Sequence, residues 1–199
     1  MSDTMTYTVL TSANRYKFLV VTVCSTLISI MVHAENLSQR PMYVQKYEEL
    51  NIEFLSEVEP LWNTKVKYHN RKPMLLVSTQ PKVYPPMFMI VTSFPGMFFT
   101  PKEFNIAYDP FLETALANYG INSSQIKSTS STSKVYGDLE GREVDFRVNV
   151  HGTLSDIKVF LGMAEKKGPV LLQAMTLADK MSHLEGSLQR SWGNIRYLD

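Results

Sequence analysis

The chain has 199 residues, of which 44% are hydrophobic and 20% are charged, and its formal net charge is +1. This length and apolar fraction suit one folded domain with a sizeable core and exclude an intrinsically disordered chain. A near-neutral charge also provides no overall attraction for a polyanion, so we expect no binding to nucleic acid.

The N-terminal segment has the pattern of a secretory signal peptide. Arg15 and Lys17 precede an uncharged, mostly apolar stretch, Phe18–Val32, and the small residue Ala34 follows it before the chain turns polar. A basic flank, a short apolar stretch and a small residue at the cleavage point are the three parts of such a signal. The stretch is short for a bilayer-spanning helix, which needs about 20 apolar residues. We therefore predict a signal peptide over residues 1–34, with an uncleaved membrane anchor and a buried element of the fold as alternatives.

The cysteine content agrees with export. Cys24 is the only cysteine in the sequence, and it lies inside the apolar stretch. Once residues 1–34 are removed, the chain has no thiol, which excludes internal disulfides, thiol catalysis and cysteine-ligated zinc. We therefore predict a periplasmic or secreted protein that contacts a membrane only through its signal segment, if that segment stays uncleaved.

The first part of the mature chain contains short strands after an irregular segment. Residues 35–60 form an N-terminal entry segment whose apolar residues lack a clean period, which predicts mixed structure with a short helix. Strands are predicted over Trp62–His69 and Pro73–Ser78. The almost unbroken apolar run Met87–Phe94 is typical of a strand that is covered on both faces. We assign residues 61–199 to a single domain.

The clearest helix begins at Thr100. Thr100, Pro101 and Glu103 supply an N-cap hydroxyl, a proline at the first helical position and a carboxylate that closes a capping box. Apolar residues then recur at helical spacing as far as Tyr119. Pro110 interrupts this pattern, and we expect it to kink the helix or to divide it into a turn and a helix.

Strands dominate the region that follows. The serine- and threonine-rich Ser123–Lys134 predicts an exposed connection or a polar edge strand. Leu139–Arg142 is predicted as a turn, and the residues after it alternate between apolar and polar side chains up to Val150. Further strands around Ile157–Met163 and Pro169–Thr176 follow across short loops, which predicts an antiparallel meander.

A final helix is predicted from one apolar stripe. Met181, Leu184, Leu188 and Trp192 recur at spacings of three and four residues, and Gly193 ends the helix. The order strand, helix, three strands and helix predicts an α+β fold in which helices pack on an antiparallel sheet.

Five stretches in the last half of the chain follow one another in an order found in a group of exported domains. They are the strand Phe88–Ser93, the helix Phe104–Tyr119, the glycine turn and strand Val135–Val150, the hairpin Val159–Ala174 and the helix Leu184–Trp192 with its Ser191-Trp192 pair. In this order of elements the chain resembles the PsbP-like and DcrB-like domains, although Leu61–Asn63 stands where those families have a Gly-Trp turn. The resemblance implies an α/β/α sandwich and a non-catalytic role as an assembly or accessory factor, so no catalytic residue follows from it.

The sequence contains no recognisable pattern of catalytic or metal-binding residues. His69, His151 and His183 lie in different predicted elements and without a short His pair, so we predict no metal site. His151 stands close to Ser155 and Asp156, but a hairpin loop is the favoured interpretation, and a hydrolase built around His151 ranks last. Glycine-rich phosphate loops are absent as well. The sequence therefore predicts neither a cofactor nor enzymatic activity.

Two non-enzymatic functions remain open. The first is an accessory, assembly or protein-binding factor of the cell envelope, whose partner is another envelope protein. Four aromatic residues are candidates for a groove that takes an apolar partner, although core packing is the favoured interpretation of their side chains: Phe98, Phe99, Phe104 and Trp192. The second function is binding of a small apolar ligand in a pocket between the sheet and the helix Phe104–Tyr119. The candidate binding residues of that pocket are Met87, Met89, Tyr108 and Trp192.

Overall fold

Ten strands and two α-helices make up the part of the chain that the computed structural model describes. These residues are 42–58, 60–117, 130–150, 152–164 and 166–198. All of them belong to one compact unit, Pro41–Asp199. The predicted signal peptide over residues 1–34 lies outside the described residues.

Seven strands form one antiparallel sheet. In chain order they are β3 (Trp62–His69), β4 (Lys72–Thr79), β5 (Met87–Ser93), β6 (Thr132–Tyr136), β7 (Leu139–Val150), β8 (Thr153–Met163) and β9 (Pro169–Leu177). Their order across the sheet is β3-β4-β5-β9-β8-β7-β6. The neighbours β7, β8 and β9 pair antiparallel across short connections, which confirms the predicted meander.

The turn predicted at Leu139–Arg142 is wrong, because these residues already belong to β7. The chain reverses two residues earlier, at Gly137, whose φ of +60° is a left-handed conformation that glycine adopts without strain. Gly141 instead lies opposite Gly162 in the neighbouring strand. A Cβ atom at Gly141 would stand 2.2 Å from the carbonyl oxygen of Leu161, so the close approach of the two strands requires this glycine.

A second, smaller sheet joins the two ends of the described chain. It consists of β1 (Met42–Tyr47), β2 (Ile52–Glu57) and β10 (Arg196–Tyr197), with a 3₁₀ turn (Glu48–Leu50) between β1 and β2. The described part of residues 35–60 is therefore mixed, as predicted, although its short helix is a single 3₁₀ turn and strands make up most of the rest. Asn51 has a φ of +55°, which ends the 3₁₀ turn and lets β2 fold back on β1. Ile52 and Phe54 are fully buried at the alternating spacing of a strand, and they pack in the same core as Trp192.

The first helix, α1 (Pro101–Leu116), begins with the predicted capping box. The hydroxyl of Thr100 accepts a hydrogen bond from the backbone N–H of Glu103, and the Glu103 carboxylate accepts one from the backbone N–H of Thr100. Pro110 does not divide the helix. It lies on the exposed side, while the buried stripe continues from Tyr108 to Leu112 on both sides of it, so packing maintains the helix despite the missing N–H. The predicted helix end at Tyr119 lies outside the described residues.

Replacing Thr100 by alanine is expected to lower the free energy of unfolding by about 1 kcal/mol, because the helix loses its N-cap acceptor. Urea denaturation followed by far-UV circular dichroism measures this change. Thr100→Ser keeps the hydroxyl oxygen and serves as the matched control, with wild-type stability expected. Equal stability of the alanine and serine variants would show that the cap contributes nothing.

The same cap has a pH dependence of defined sign. Hydrogen bonds from the backbone and hydroxyl of Thr100 lower the pKa of Glu103. The stabilisation from this carboxylate is therefore present above its ordinary pKa and is lost as the pH falls through the lowered value. Thr100→Ala removes the hydroxyl but keeps the backbone N–H, which is the larger cause of the lowered pKa, so this part of the acid dependence should become smaller without disappearing; denaturation midpoints measured across the acidic range would reveal the change.

The second helix, α2 (Met181–Trp192), buries the predicted apolar stripe. Leu184, Leu188 and Trp192 are buried, and Gly193 follows as the C-cap, so the predicted helix and its end are confirmed. The Trp192 indole N–H donates to the Met89 sulfur, 3.3 Å away on β5. This contact ties the end of α2 to the middle of the large sheet.

Each helix contributes to a different core, and the two cores lie on opposite faces of the large sheet. The α1 core contains Phe104, Tyr108, Leu112, Leu116, Val144, Phe146, Ile157, Val159, Leu161 and Leu171. The α2 core includes Leu184, Leu188 and Trp192 together with Met87, Met89, Phe160, Leu172 and the apolar residues of the small sheet. Neighbouring residues of β8 alternate between the cores, with Val159 and Leu161 in one and Phe160 in the other. The α+β class and the antiparallel sheet agree with the sequence prediction.

Candidate functional site

A groove of about 1080 Å³ lies beside the start of α1, on the face of the large sheet that carries the α1 core. Its floor is a row of cross-strand partners, namely Val135 on β6, Glu140 on β7 and Met163 on β8. Its wall is the segment from Phe98 to Asn105, which includes the first turn of α1. The groove is open to solvent, and its volume is slightly above the range, roughly 300–1,000 Å³, that is usual for ligand sites.

The wall and the floor both present apolar side chains. Phe98 is 68% exposed, and Val135 is 66% exposed. Phe99 is held in place by an edge-to-face contact with Phe111 at 6.1 Å between ring centroids, and Phe111 contacts Phe94 in the same way at 5.2 Å. A fixed aromatic wall with exposed apolar neighbours is typical of a binding surface rather than of an ordinary solvated surface.

Arg142 brings a cationic group to this apolar groove. Its guanidinium carbon lies 3.6 Å from the centroid of the Tyr108 ring, a cation–π contact. Burial raises the pKa of Tyr108 to about 12, and the positive charge of Arg142 opposes the rise. The Nε atom of Arg142 is buried and has no hydrogen-bond partner. A buried donor in this condition costs roughly 1–3 kcal/mol.

The charges around the groove are balanced in number. Among the described residues they are Lys134, Arg142 and Lys166 on one side and Glu103, Asp138 and Glu140 on the other. Glu103 is engaged in the helix cap, and Asp138 lies 3.9 Å from Arg196. None of the described carboxylates forms an ion pair with Arg142 within 4 Å. Arg142 therefore combines partial burial with unused hydrogen-bonding capacity.

The four residues predicted to line a ligand pocket lie in two separate cores. Met87, Met89 and Trp192 belong to the α2 core, whereas Tyr108 belongs to the α1 core on the opposite face of the sheet. All four are buried, and the sheet separates the first three from the fourth. The structure therefore does not bring them together around one cavity. Only Tyr108 of the four contacts a groove residue, through the guanidinium of Arg142.

A second concentration of titratable groups lies between β7, β8 and α2. The Lys158 ammonium lies 3.1 Å from carboxylate oxygens of both Glu143 and Asp145 and 3.7 Å from Glu185. Glu143 also accepts a 2.6 Å hydrogen bond from the Tyr136 hydroxyl. Burial alone would lower the pKa of Lys158, but hydrogen bonds to Asp145 and Glu143 outweigh it and raise the pKa. These groups satisfy one another, so the cluster holds α2 on the sheet and offers no unpaired reactive group.

Metal-binding clusters are not found in the described part of the chain, where no three histidine, cysteine, aspartate or glutamate residues are placed to hold an ion. His69 on β3 and His183 on α2 are exposed and lie in different elements. His151 lies outside the described residues. Across the same described ranges, no helix combines the length and the apolar character that crossing a bilayer requires.

Sequence reasoning offered the aromatic wall only as the less favoured alternative to core packing, and it missed Arg142. Phe98, Phe99 and Phe104 do line the groove. The favoured core packing holds for Phe104 and for Trp192, which are buried in the α1 core and the α2 core. Arg142 was hidden by the predicted turn, which would leave its side chain in solvent. The available signal was the alternation of Val144 and Phe146, because counting back by two residues places Arg142 on their buried face.

Comparisons with known proteins leave the family open, since no protein family model and no curated protein matches this chain. A solved structure from Bacteroides thetaiotaomicron VPI-5482 is 9% identical with a TM-score of 0.48, and the match covers 81% of this chain but only 49% of that one. The chain thus spans about half the length of that protein. LpqN, which is involved in cell envelope biogenesis of Mycobacterium tuberculosis, is 10% identical with a TM-score of 0.49, over 80% of this chain and 91% of LpqN. Both TM-scores are below 0.5, so neither likeness carries an argument, and the resemblance to PsbP-like and DcrB-like domains stays a prediction.

Proposed function

We propose that this protein is a non-enzymatic binding factor of the cell envelope that docks an apolar segment of another protein in the groove. The main support is the pair of exposed apolar surfaces that face the same concavity, Phe98 on the wall and Val135 on the floor. Removing a large apolar side chain from water stabilises a complex by roughly 1.5–3 kcal/mol. The groove therefore favours an apolar occupant over water.

The position of β6 supports a protein as that occupant. In the part of the chain that the structure describes, β6 has β7 as its one hydrogen-bonded neighbour and forms an edge of the seven-stranded sheet. Edge strands offer backbone hydrogen bonds to an extended segment, while neighbouring pockets receive its alternate side chains. The groove residues Ser133 and Val135 belong to this strand.

One feature of the sequence and one of the structure support the envelope and the accessory role. The signal-like pattern of residues 1–34 favours export. Helices on opposite faces of an antiparallel sheet agree with the α/β/α sandwich of the PsbP-like and DcrB-like domains, which commonly act as non-catalytic accessory factors. We therefore infer a periplasmic or secreted accessory protein whose partner is another envelope protein.

Phe98→Ser is expected to weaken binding of the partner at least tenfold, because it removes the most exposed apolar side chain of the groove wall. The partner would first be identified by purification of the protein under native conditions, and its affinity then measured by isothermal titration calorimetry. Tyr68→Ser is the matched control, since Tyr68 is 64% exposed on β3 at the opposite edge of the sheet. Undiminished binding to Phe98→Ser, or an equal loss with Tyr68→Ser, would contradict docking in the groove.

A second candidate function is binding of a small apolar ligand. The volume of the groove and its position between α1 and the sheet favour this alternative, which the sequence also predicts. Calorimetric titration with dodecanol tests it on protein that has been unfolded and refolded to remove bound molecules. Binding in the micromolar range that disappears in Phe98→Ser would support the ligand function, and the absence of measurable heat would count against it.

A further inference from the structure

We propose that Arg142 is a carboxylate anchor, so that the segment docked in the groove carries a carboxylate among its apolar residues. This inference rests on the proposed function and specifies the chemistry of the partner. The carboxylate belongs to an Asp or Glu side chain or to a free C-terminus. The juxtaposition that supports it is a partly buried guanidinium that stacks on Tyr108, lines an apolar groove and has no carboxylate partner among the described residues.

The first argument is the way in which the guanidinium is held. In the sheet, Arg142 lies opposite Ser133 on β6 and Leu161 on β8. The ring of Tyr108 covers the guanidinium at 3.6 Å, and the Tyr108 hydroxyl donates to the backbone oxygen of Arg142 at 3.3 Å. Guanidinium N–H groups lie in the plane of the group, so an aromatic ring on one face of that plane orients the donors without occupying them.

The second argument is the contrast with other arginines of the domain. Arg147 makes a two-point contact with Asp156, at 2.7 Å from Nε and 3.2 Å from Nη2, and a further contact with Asp179. Arg190 donates from Nε to the buried carboxylate of Glu57 at 3.0 Å. Arg142 has no such carboxylate partner among the described residues, and its buried Nε atom donates to nothing. The planar fork of an arginine matches a carboxylate, which makes a carboxylate the fitting ligand.

The third argument is that none of the acidic groups of the groove pairs with Arg142 among the described residues. Glu103 accepts hydrogen bonds from Thr100, and Asp138 lies near Arg196. Glu140 is exposed on the same strand, and among the described residues no ion pair within 4 Å joins it to Arg142. A carboxylate from a partner therefore complements the charge of Arg142, while Phe98 and Val135 complement its apolar neighbours. An apolar segment without an acid would cover this guanidinium without compensating its charge.

The test is a selection of short random peptides, displayed on phage, against the full chain. We expect the selected sequences to be rich in apolar residues and to contain Asp, Glu or a free C-terminal carboxylate. Calorimetry then compares the affinity of each synthetic peptide with that of its amide form, in which Asn, Gln or a C-terminal amide replaces the acid. On the wild type the amide form should bind at least tenfold more weakly, whereas on Arg142→Gln the two forms should differ by less than about twofold.

Several variants make the outcome decisive. Arg71→Gln is the matched control, because Arg71 is exposed in the turn between β3 and β4, and it should keep the full preference for the acid. If circular dichroism shows that Arg142→Gln is unfolded, Arg142→Lys replaces it and should reduce the preference while retaining a positive charge. Apolar peptides without any preference for an acid, or a preference that persists in Arg142→Gln, would overturn the carboxylate anchor and leave the docking groove intact. If no peptide is selected and laurate binds instead, in a manner sensitive to Phe98→Ser, both the anchor for a protein segment and the proposed function are overturned.

Discussion

Replacing Lys158 by methionine is expected to lower the free energy of unfolding by about 3–5 kcal/mol. The side chains of Lys158 and Glu143 are 7% and 5% exposed, and their charged atoms are 3.1 Å apart. Without the ammonium, the Glu143 carboxylate stays buried beside Asp145 and has no cation to compensate its charge. Urea denaturation followed by far-UV circular dichroism measures the loss.

Two further variants separate burial from charge pairing. Lys46→Met removes an exposed ammonium, 64% accessible, that lies 3.5 Å from Glu53, and we expect a change below about 1 kcal/mol. The double variant Lys158→Met, Glu143→Gln removes both buried charges and should recover part of the lost stability. A Lys158→Met protein as stable as Lys46→Met would refute the view that the buried pair between β7 and β8 contributes to stability.

Trp192→Ala is expected to cost about 3–5 kcal/mol, which is the usual effect of removing a large buried aromatic side chain. Trp192 is fully buried, its ring contacts Tyr136 edge-to-face at 5.4 Å, and its N–H donates to Met89. The residue therefore joins α2 to strands from different parts of the large sheet. Thermal unfolding followed by circular dichroism tests this expectation.

The controls for Trp192 vary the size and the position of the lost ring. Trp192→Phe keeps an aromatic ring in the core and should lose clearly less stability than Trp192→Ala. Phe98→Ala removes a ring that is 68% exposed, and its effect should stay within about 0.5 kcal/mol. Equal losses for Trp192→Ala and Phe98→Ala would mean that burial of the tryptophan does not determine stability.

Patterns within single elements were predictable from the sequence. The strand over Trp62–His69, the capping box at Thr100 and the buried stripe that ends at Trp192 all occur where the sequence places them. Each depends on side-chain period or on contacts between residues a few positions apart, and such local constraints can be read from a linear sequence. The antiparallel meander was predictable for the same reason, because strands that are joined by short loops usually pair with each other.

Contacts between distant parts of the chain were not predictable. The pairing of β10 with β2 joins Arg196 to Glu53, and nothing in either short segment identifies the other. The sequence likewise does not show which face of the sheet each helix covers, so Tyr108 and Trp192 were grouped although the sheet separates them. Arg142 was missed because its importance depends on Tyr108 and on the groove, which exist only in the folded protein. The aromatic wall was available as an alternative because Phe98 and Phe99 form a local apolar cluster.

The placement of the two tryptophans has a spectroscopic consequence. Trp62 and Trp192 are the only tryptophans of the chain, and both lie in the α2 core, so the α1 core contains none. Intrinsic tryptophan fluorescence will therefore report unfolding of the α2 core. It will not report a movement of α1 when a ligand enters the groove. The variant Phe99→Trp would place a fluorescent reporter in the aromatic wall and so make changes around α1 measurable.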